Sequence, residues 1–234
     1  MLAFSSLLGN VEGQNIYRIW YDKPASYWEE ALPVGNGRIA AMVFGDPQLE
    51  QIQLNEETVS AGSPYQNYNE EAKTALPEMR RLIFEGKYEE AQNMAATKIL
   101  SQVGNEMPYQ TVGRLNIRYQ DHKKVNNYYR DLDISNAVAV TRYEVDGVEF
   151  TEETFASFTD QLVIRHIKAS KPGTINCELF FNTPMRDPKR SIYGKKGLRL
   201  EGITHGSRYF PGKVHYCADL DVKHKGGKVI TAND

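Results

Sequence analysis

Disulfides cannot organise this chain, because its 234 residues include only two cysteines, Cys177 and Cys217. Alternation places Cys177 with Ile175, Leu179 and Phe181 on an apolar face. Cys217 lies opposite the apolar set Val214, Tyr216, Ala218, Leu220 and Val222, which argues against a bridge between the two. No apolar run approaches the ~20 residues of a membrane helix, so no membrane partner is expected. Excess charge of one sign is also missing: 28 basic residues face 30 acidic ones. The electrostatic footprint of a nucleic-acid binder is therefore absent. No glycine-rich phosphate loop, Cys-x-x-Cys or His-x-x-x-His pair, or Gly-x-Ser-x-Gly elbow occurs, and neither a cofactor nor a structural metal is expected.

Aromatic residues and alternation are what the sequence does have. There are 14 Tyr, 9 Phe and 2 Trp, and Tyr and Phe favour strands. Val138, Val140, Arg142 and Glu144 alternate with Ala139, Thr141, Tyr143 and Val145. Asp146-Gly147 then forms a two-residue hairpin signal before Val148–Phe155. Gln161–Ala169, Ile175–Phe181, Leu198–Ile203 and Lys213–Lys223 read as further strands. Pro172-Gly173, Pro211-Gly212 and Gly226-Gly227 separate them.

Residues 69–100 break that pattern. Ala72, Ala75, Met79, Leu82 and Ile83, and then Ala91, Met94, Ala95 and Ile99, recur at spacings of three and four. This predicts two short helices, 70–85 and 87–101, with Gly86 as the cap between them. The expected fold is mostly β, an antiparallel β super-sandwich with a two-helix insertion at about 70–101. Residues 1–15 are read as an extension or the remnant of an export signal, since Leu2–Leu8 is apolar but lacks a basic leader. Residues 16–234 are read as one sandwich domain. Lys228–Thr231 looks like the return strand of a hairpin, so the domain is expected to be cut short at its C-terminal end.

Catalytic side-chain constellations are sparse in this sequence. His215, Cys217, Asp219 and Asp221 share one strand face, but a metal needs ligands converging from several elements, so a polar face is the expectation. Glu29-Glu30, Glu56-Glu57 and Glu152-Glu153 are neighbours that a strand sends to opposite faces. They do not form the facing carboxylate pair of a glycosidase. The unusual stretch is residues 16–65, where Trp20, Tyr21, Tyr27 and Trp28 crowd near turn residues and Gly35-Asn36-Gly37 forms a tight turn. Aromatic faces there, and at Tyr65, could stack on sugar rings.

The ordered motifs in this stretch carry a resemblance. Trp20–Ala25, Glu30–Gly45 (EALPVGNGRIAAMVFG) and Gln53–Thr58 are followed by Arg81–Ala91, Tyr128–Ile134 and Phe155–Leu162. Together they resemble the N-terminal domain of glycoside hydrolase family 95, the α-L-fucosidase family with some α-L-galactosidases, over about residues 16–230. Where that family has Thr-Leu-Trp-Ser-Gly, this chain has Thr58-Val59-Ser60-Ala61-Gly62.

The resemblance implies an accessory domain whose partner is a helical (α/α)6 barrel. That barrel holds the inverting machinery: a glutamic acid as general acid, and a water activated by asparagines and an aspartate. Carbohydrate would be reached through the barrel, and the parent enzyme would be periplasmic or secreted. No catalytic residue is carried over onto this chain. Trp28, Glu29, Asn36, Arg38, Asn55 and Glu56 are the candidates for the domain interface or for the rim of the sugar site. A stand-alone carbohydrate-binding domain is the alternative.

Overall fold

The computed structural model describes residues 17–62, 66–101, 107–207 and 211–232. The apolar N-terminal run at 2–8 and Tyr65 lie outside these described residues.

Among the described residues, thirteen strands form three antiparallel sheets. Sheet one has the order β1-β6-β7-β8-β9, with β1 Arg18–Tyr21, β6 Asn126–Asp133, β7 Val138–Val145, β8 Val148–Ser157 and β9 Leu162–Ala169. Sheet two has the order β10-β5-β4-β3-β2, with β2 Leu32–Gly35, β3 Ile39–Val43, β4 Leu49–Glu56, β5 Gly113–Tyr119 and β10 Cys177–Asn182. Sheet three is β11 Arg186–Tyr193, β12 Gly197–Ile203 and β13 His215–Asp221. Sheets one and two stack face to face, with β2 lying across β6, β7 and β8, and β3 across β8 and β9.

Period-two alternation builds that interior. In β7, Ala139, Thr141, Tyr143 and Val145 are buried, and the Asp146-Gly147 turn takes positive φ at both residues, as a two-residue hairpin requires. Facing them in sheet two, Leu32, Val34, Ala41, Val43, Ile52, Leu115 and Ile117 form one core cluster with Leu132 and Ala139. Leu200 and Tyr216 extend the same cluster into sheet three. Removing such apolar area from water, at about 25 cal/mol per Å², is the main force holding the layers together.

The helical insertion is present with slightly shorter elements: α1 Ala72–Phe84 and α2 Tyr88–Met94, the latter continuing as a π-helical turn Ala95–Ile99. Gly86 caps α1 with φ +74°. Its N–H donates to Ile83 O and that of Lys87 to Leu82 O, the pairing of a Schellman cap.

Two details differ from the sequence reading. Residues 228–231 join no strand, although Gly226 and Gly227 do turn with positive φ. Arg186–Tyr193 forms a strand that alternation does not announce, because Pro188 interrupts it and all eight residues are exposed. Its register to β12 slips between Arg186 and Lys189, which accommodates the proline at a sheet edge.

Candidate functional site

The structure divides the six candidate residues between the two ends of β2. Trp28 and Glu29 begin a single 3-10 turn, Trp28–Glu30, that precedes the strand. Tyr27 and Trp28 are 57% and 51% exposed there, large for aromatic rings. Asn36 and Arg38 follow the strand, at its far end.

Asn36 is committed to structure. Its Oδ1 accepts from the N–H groups of Arg38 and Ile39, at 3.1 and 2.9 Å. Its Nδ2 donates to Ser157 O at 2.8 Å, tying the β2–β3 turn to the end of β8 in the opposite sheet. In this turn it is Gly37 that takes positive φ, +90°.

Arg38 and Glu56 meet beside that turn, with Nε to Oε1 at 3.1 Å. Glu56 also accepts from the Thr58 N–H at 2.8 Å and the Thr58 hydroxyl at 2.5 Å. Partial burial alone would raise its carboxyl; the Thr58 bonds and Arg38 outweigh it and hold the group below the usual carboxylate range. Asn55, one residue earlier in β4, faces the other side of the sheet by strand alternation. Arg38, Asn55 and Glu56 thus share one end of the sandwich with Asn36, and Trp28 and Glu29 do not join them.

A second constellation lies inside the sandwich. Glu50 of β4 and Glu152 of β8 project into the interior and are 0% and 1% exposed. Arg165 of β9 reaches between them: its Nη2 donates to Glu50 Oε2 at 2.7 Å and to Glu152 Oε2, and its Nη1 donates to Thr154 Oγ1 at 2.6 Å. Tyr119 and Tyr143 donate to Glu152 Oε1 at 2.7 and 2.5 Å. Glu50 Oε1 collects the N–H groups of Phe44, Gly45 and Gln51.

Burial pushes the Glu50 carboxyl up to about 7, against the pull of Arg165 and with the Glu152 charge adding to the rise. Burial also raises the phenols of Tyr119 and Tyr143, and it lowers His122, which stacks on Tyr119 at 4.2 Å. This pair of carboxylates was legible only as inward-facing charges: Glu50 has the parity of Ile52 and Leu54, and Glu152 that of Phe150 and Thr154. Glu153 points outward to His166 and Lys168. Because a cation and two phenols close over them, Glu50 and Glu152 have no room for a sugar or the water an inverting pair encloses.

A third group occupies the outer face of sheet one. Arg18 and Trp20 of β1 lie beside Asp133 and Asp131 of β6, and Tyr129 lies beside Arg142 of β7. Arg18 Nη1 is 2.6 Å from Asp131 Oδ2. On sheet three, the face carrying His215, Cys217 and Asp219 is exposed, and Arg199 grips Asp219 with two bonds of 2.6 and 2.7 Å. Cys177 packs against the core and Cys217 is exposed; both are free thiols. Among the described residues no His/Cys/Asp/Glu group is placed to hold a metal, and no helix is long and apolar enough to cross a membrane.

The profile described as glycosyl hydrolase family 65, N-terminal domain, matches residues 19–234. The chain belongs to that family of N-terminal domains. This glycosyl hydrolase domain is similar to the "Alpha-L-fucosidase 2" of Arabidopsis thaliana, with 37% identity over 181 residues, covering 75% of this chain and 21% of the plant protein. It is also similar to the "Probable alpha-fucosidase A" of Aspergillus niger, 26% identical over 162 residues, and of Aspergillus oryzae, 25% identical over 211 residues. The chain spans 20% to 28% of the length of these relatives. The match to the family profile begins at Ile19, so it covers the first two constellations and all of the third except Arg18.

Proposed function

We propose that this chain is the non-catalytic N-terminal domain of an α-L-fucosidase-type enzyme of glycoside hydrolase family 95. In this reading the domain docks on a helical barrel that cleaves α-L-fucosides, or α-L-galactosides, of complex glycans. One observation carries the non-catalytic part: the acidic pair that faces across the two sheets, Glu50 and Glu152, is sealed in the interior and bridged by Arg165. The fucosidase part is supported by the names of the three relatives and by the motifs at Trp20–Ala25, Glu30–Gly45 and Gln53–Thr58. The surfaces around Trp28 and around Arg38–Glu56 are the proposed contacts with the barrel or the sugar rim. From this substrate class, the enzyme is proposed to work in the periplasm or outside the cell.

The test is hydrolysis of nitrophenyl α-L-fucoside. The 234-residue chain alone should give no turnover, and a protein joining it to a family 95 barrel should release nitrophenol. Turnover by the chain alone would refute the accessory role; a joined, folded protein that cleaves only other glycosides would refute the fucosidase assignment.

A further inference from the structure

The outer face of sheet one carries more aromatic and paired charge than a solvated strand face needs. Trp20 and Tyr129 lie with ring centroids 6.2 Å apart and planes 19° from parallel. Trp20 nevertheless remains 60% exposed, so much of the indole is open to water. Beneath the rings Asp131 is fully buried, with Arg18 at 2.6 Å and Arg142 at 3.8 Å from its two oxygens. Its oxygens are inaccessible, so Asp131 orients the cations from below and offers nothing to a ligand itself. Arg142 sits opposite Tyr129 across the β6–β7 ladder and is exposed, with N–H donors left over for a partner.

We propose that Trp20, Tyr129 and Arg142 form a glycan-binding platform that takes a neutral pyranose ring. A pyranose has an apolar C–H face that lies flat on an aromatic ring, and hydroxyl oxygens around its edge that accept from a guanidinium. The charge balance selects among ligands. Arg18 and Arg142 are matched by Asp131 and Asp133, so the patch has no net charge to draw an anionic sugar or a phosphate. A purely apolar partner would strip water from Arg142 without replacing its hydrogen bonds. The platform also lies on a different sheet from the Arg38–Glu56 surface, so it acts as a separate contact with the substrate chain. It rests on the carbohydrate-active reading for the choice of ligand.

The experiment uses the two tryptophans, Trp20 and Trp28, as reporters. Their indole N–H signals, assigned with Trp28→Phe, are followed by NMR while 2′-fucosyllactose, or sialyllactose as the anionic probe, is added to the 234-residue chain. The expected result is a saturable shift of the Trp20 signal at millimolar neutral sugar, with Trp28 unmoved and sialyllactose weaker. Arg142→Ala should weaken the affinity about tenfold, the loss of one hydrogen bond to a charged group. Neither indole moving would overturn the platform, as would movement of Trp28 alone or an affinity indifferent to Arg142→Ala. Failure of fucoside hydrolysis in the joined protein would remove the fucosidase assignment and leave a Trp20 shift standing, so the two ideas fail separately.

Discussion

Arg165 of β9 donates to Glu50 of β4 at 2.7 Å, across the space between the two sheets. The same nitrogen also binds Glu152 on the neighbouring strand β8. One cation thus bridges two carboxyl groups in the interior, and it balances a single negative charge between them. Breaking a buried ion pair by removing one partner leaves an uncompensated charge in a poorly solvated place. Arg165→Met should therefore cost about 3–5 kcal/mol in urea unfolding. Glu153→Ala, on the outward parity of β8, should change stability by less than about 0.5 kcal/mol. Equal losses for the two variants would contradict the placement of Glu50, Glu152 and Arg165 in the core.

The same cluster predicts opposing pH slopes. The Glu50 carboxyl is raised from 4.5 to about 7 in the fold, so the folded state holds its proton more tightly than the unfolded state does. The stability this contributes is fully present below pH 4.5 and is lost as pH rises through about 7. His122 is displaced downward from 6.5 by burial, so its contribution is present above pH 6.5 and is lost as pH falls through the lower folded value. Denaturant midpoints measured across this window should separate the two. Glu50→Gln should lose the decline toward neutral pH, and His122→Asn should lose the decline toward acid. A Glu50→Gln profile parallel to that of the unmodified chain would contradict the raised carboxyl.

Two glycines with similar backbones should respond differently to the same change. Gly37 and Gly45 have φ of +90° and +76°. A Cβ at Gly37 meets nothing within 4 Å, so Gly37→Ala should cost only the backbone strain, about 1 kcal/mol. A Cβ at Gly45 would stand 2.7 Å from the Tyr128 hydroxyl and 2.8 Å from Arg130 Cδ. Those atoms are fixed, since Tyr128 donates to Gly45 O at 2.6 Å and Arg130 Nε to Lys23 O at 2.8 Å. Overpacking then adds about 1–3 kcal/mol to the strain. Thermal melts of the two variants check the order, and a Gly45→Ala chain as stable as Gly37→Ala would refute it.

Local patterns announced β7–β10, β12 and β13, but not β1, β2, β3, β5 or β6. The β7–β8 hairpin could be read from alternation on either side of Asp146-Gly147, because one face of each strand is buried and the turn chemistry is specific. The α1–α2 boundary could be read from Gly86, where only glycine adopts the cap conformation without strain. β11 could not be read, because an exposed edge strand gains its stability from one ladder to β12 and needs no apolar face. Residues 228–231 have strand-like composition, yet composition cannot supply a partner ladder. At the candidate site the residue types were visible and their grouping was not. Asn36 looked like a recognition residue, but its side chain is used in bracing the turn against Ser157. Glu50 was passed over because a lone glutamate in a strand reads as surface until its parity with Ile52 is weighed.

Arg38 and Trp28 offer a way to separate docking from folding. Arg38 is exposed and its pair with Glu56 is open to solvent, so its loss should cost the isolated chain less than about 1 kcal/mol. Trp28 is half exposed on a single 3-10 turn, and no residue of that turn is buried. Arg38→Ala should therefore leave the urea midpoint of the 234-residue chain nearly unchanged, whereas Trp28→Ala, which removes the half of the ring that the domain buries, should cost about 2–3 kcal/mol and leave the chain folded. In the joined protein, a residue that packs against the second domain becomes part of a fully desolvated contact, where truncating an aromatic or arginine anchor commonly costs about 2 kcal/mol or more. The same substitutions should then lower the melting temperature of the joined protein by more than that of the isolated domain, or lower its rate on nitrophenyl α-L-fucoside, while the isolated domain stays folded. If both substitutions destabilise the joined protein no more than the isolated domain and leave it as active as the parent, neither end of β2 faces the barrel. The proposed contact would then have to lie on another surface of the sandwich.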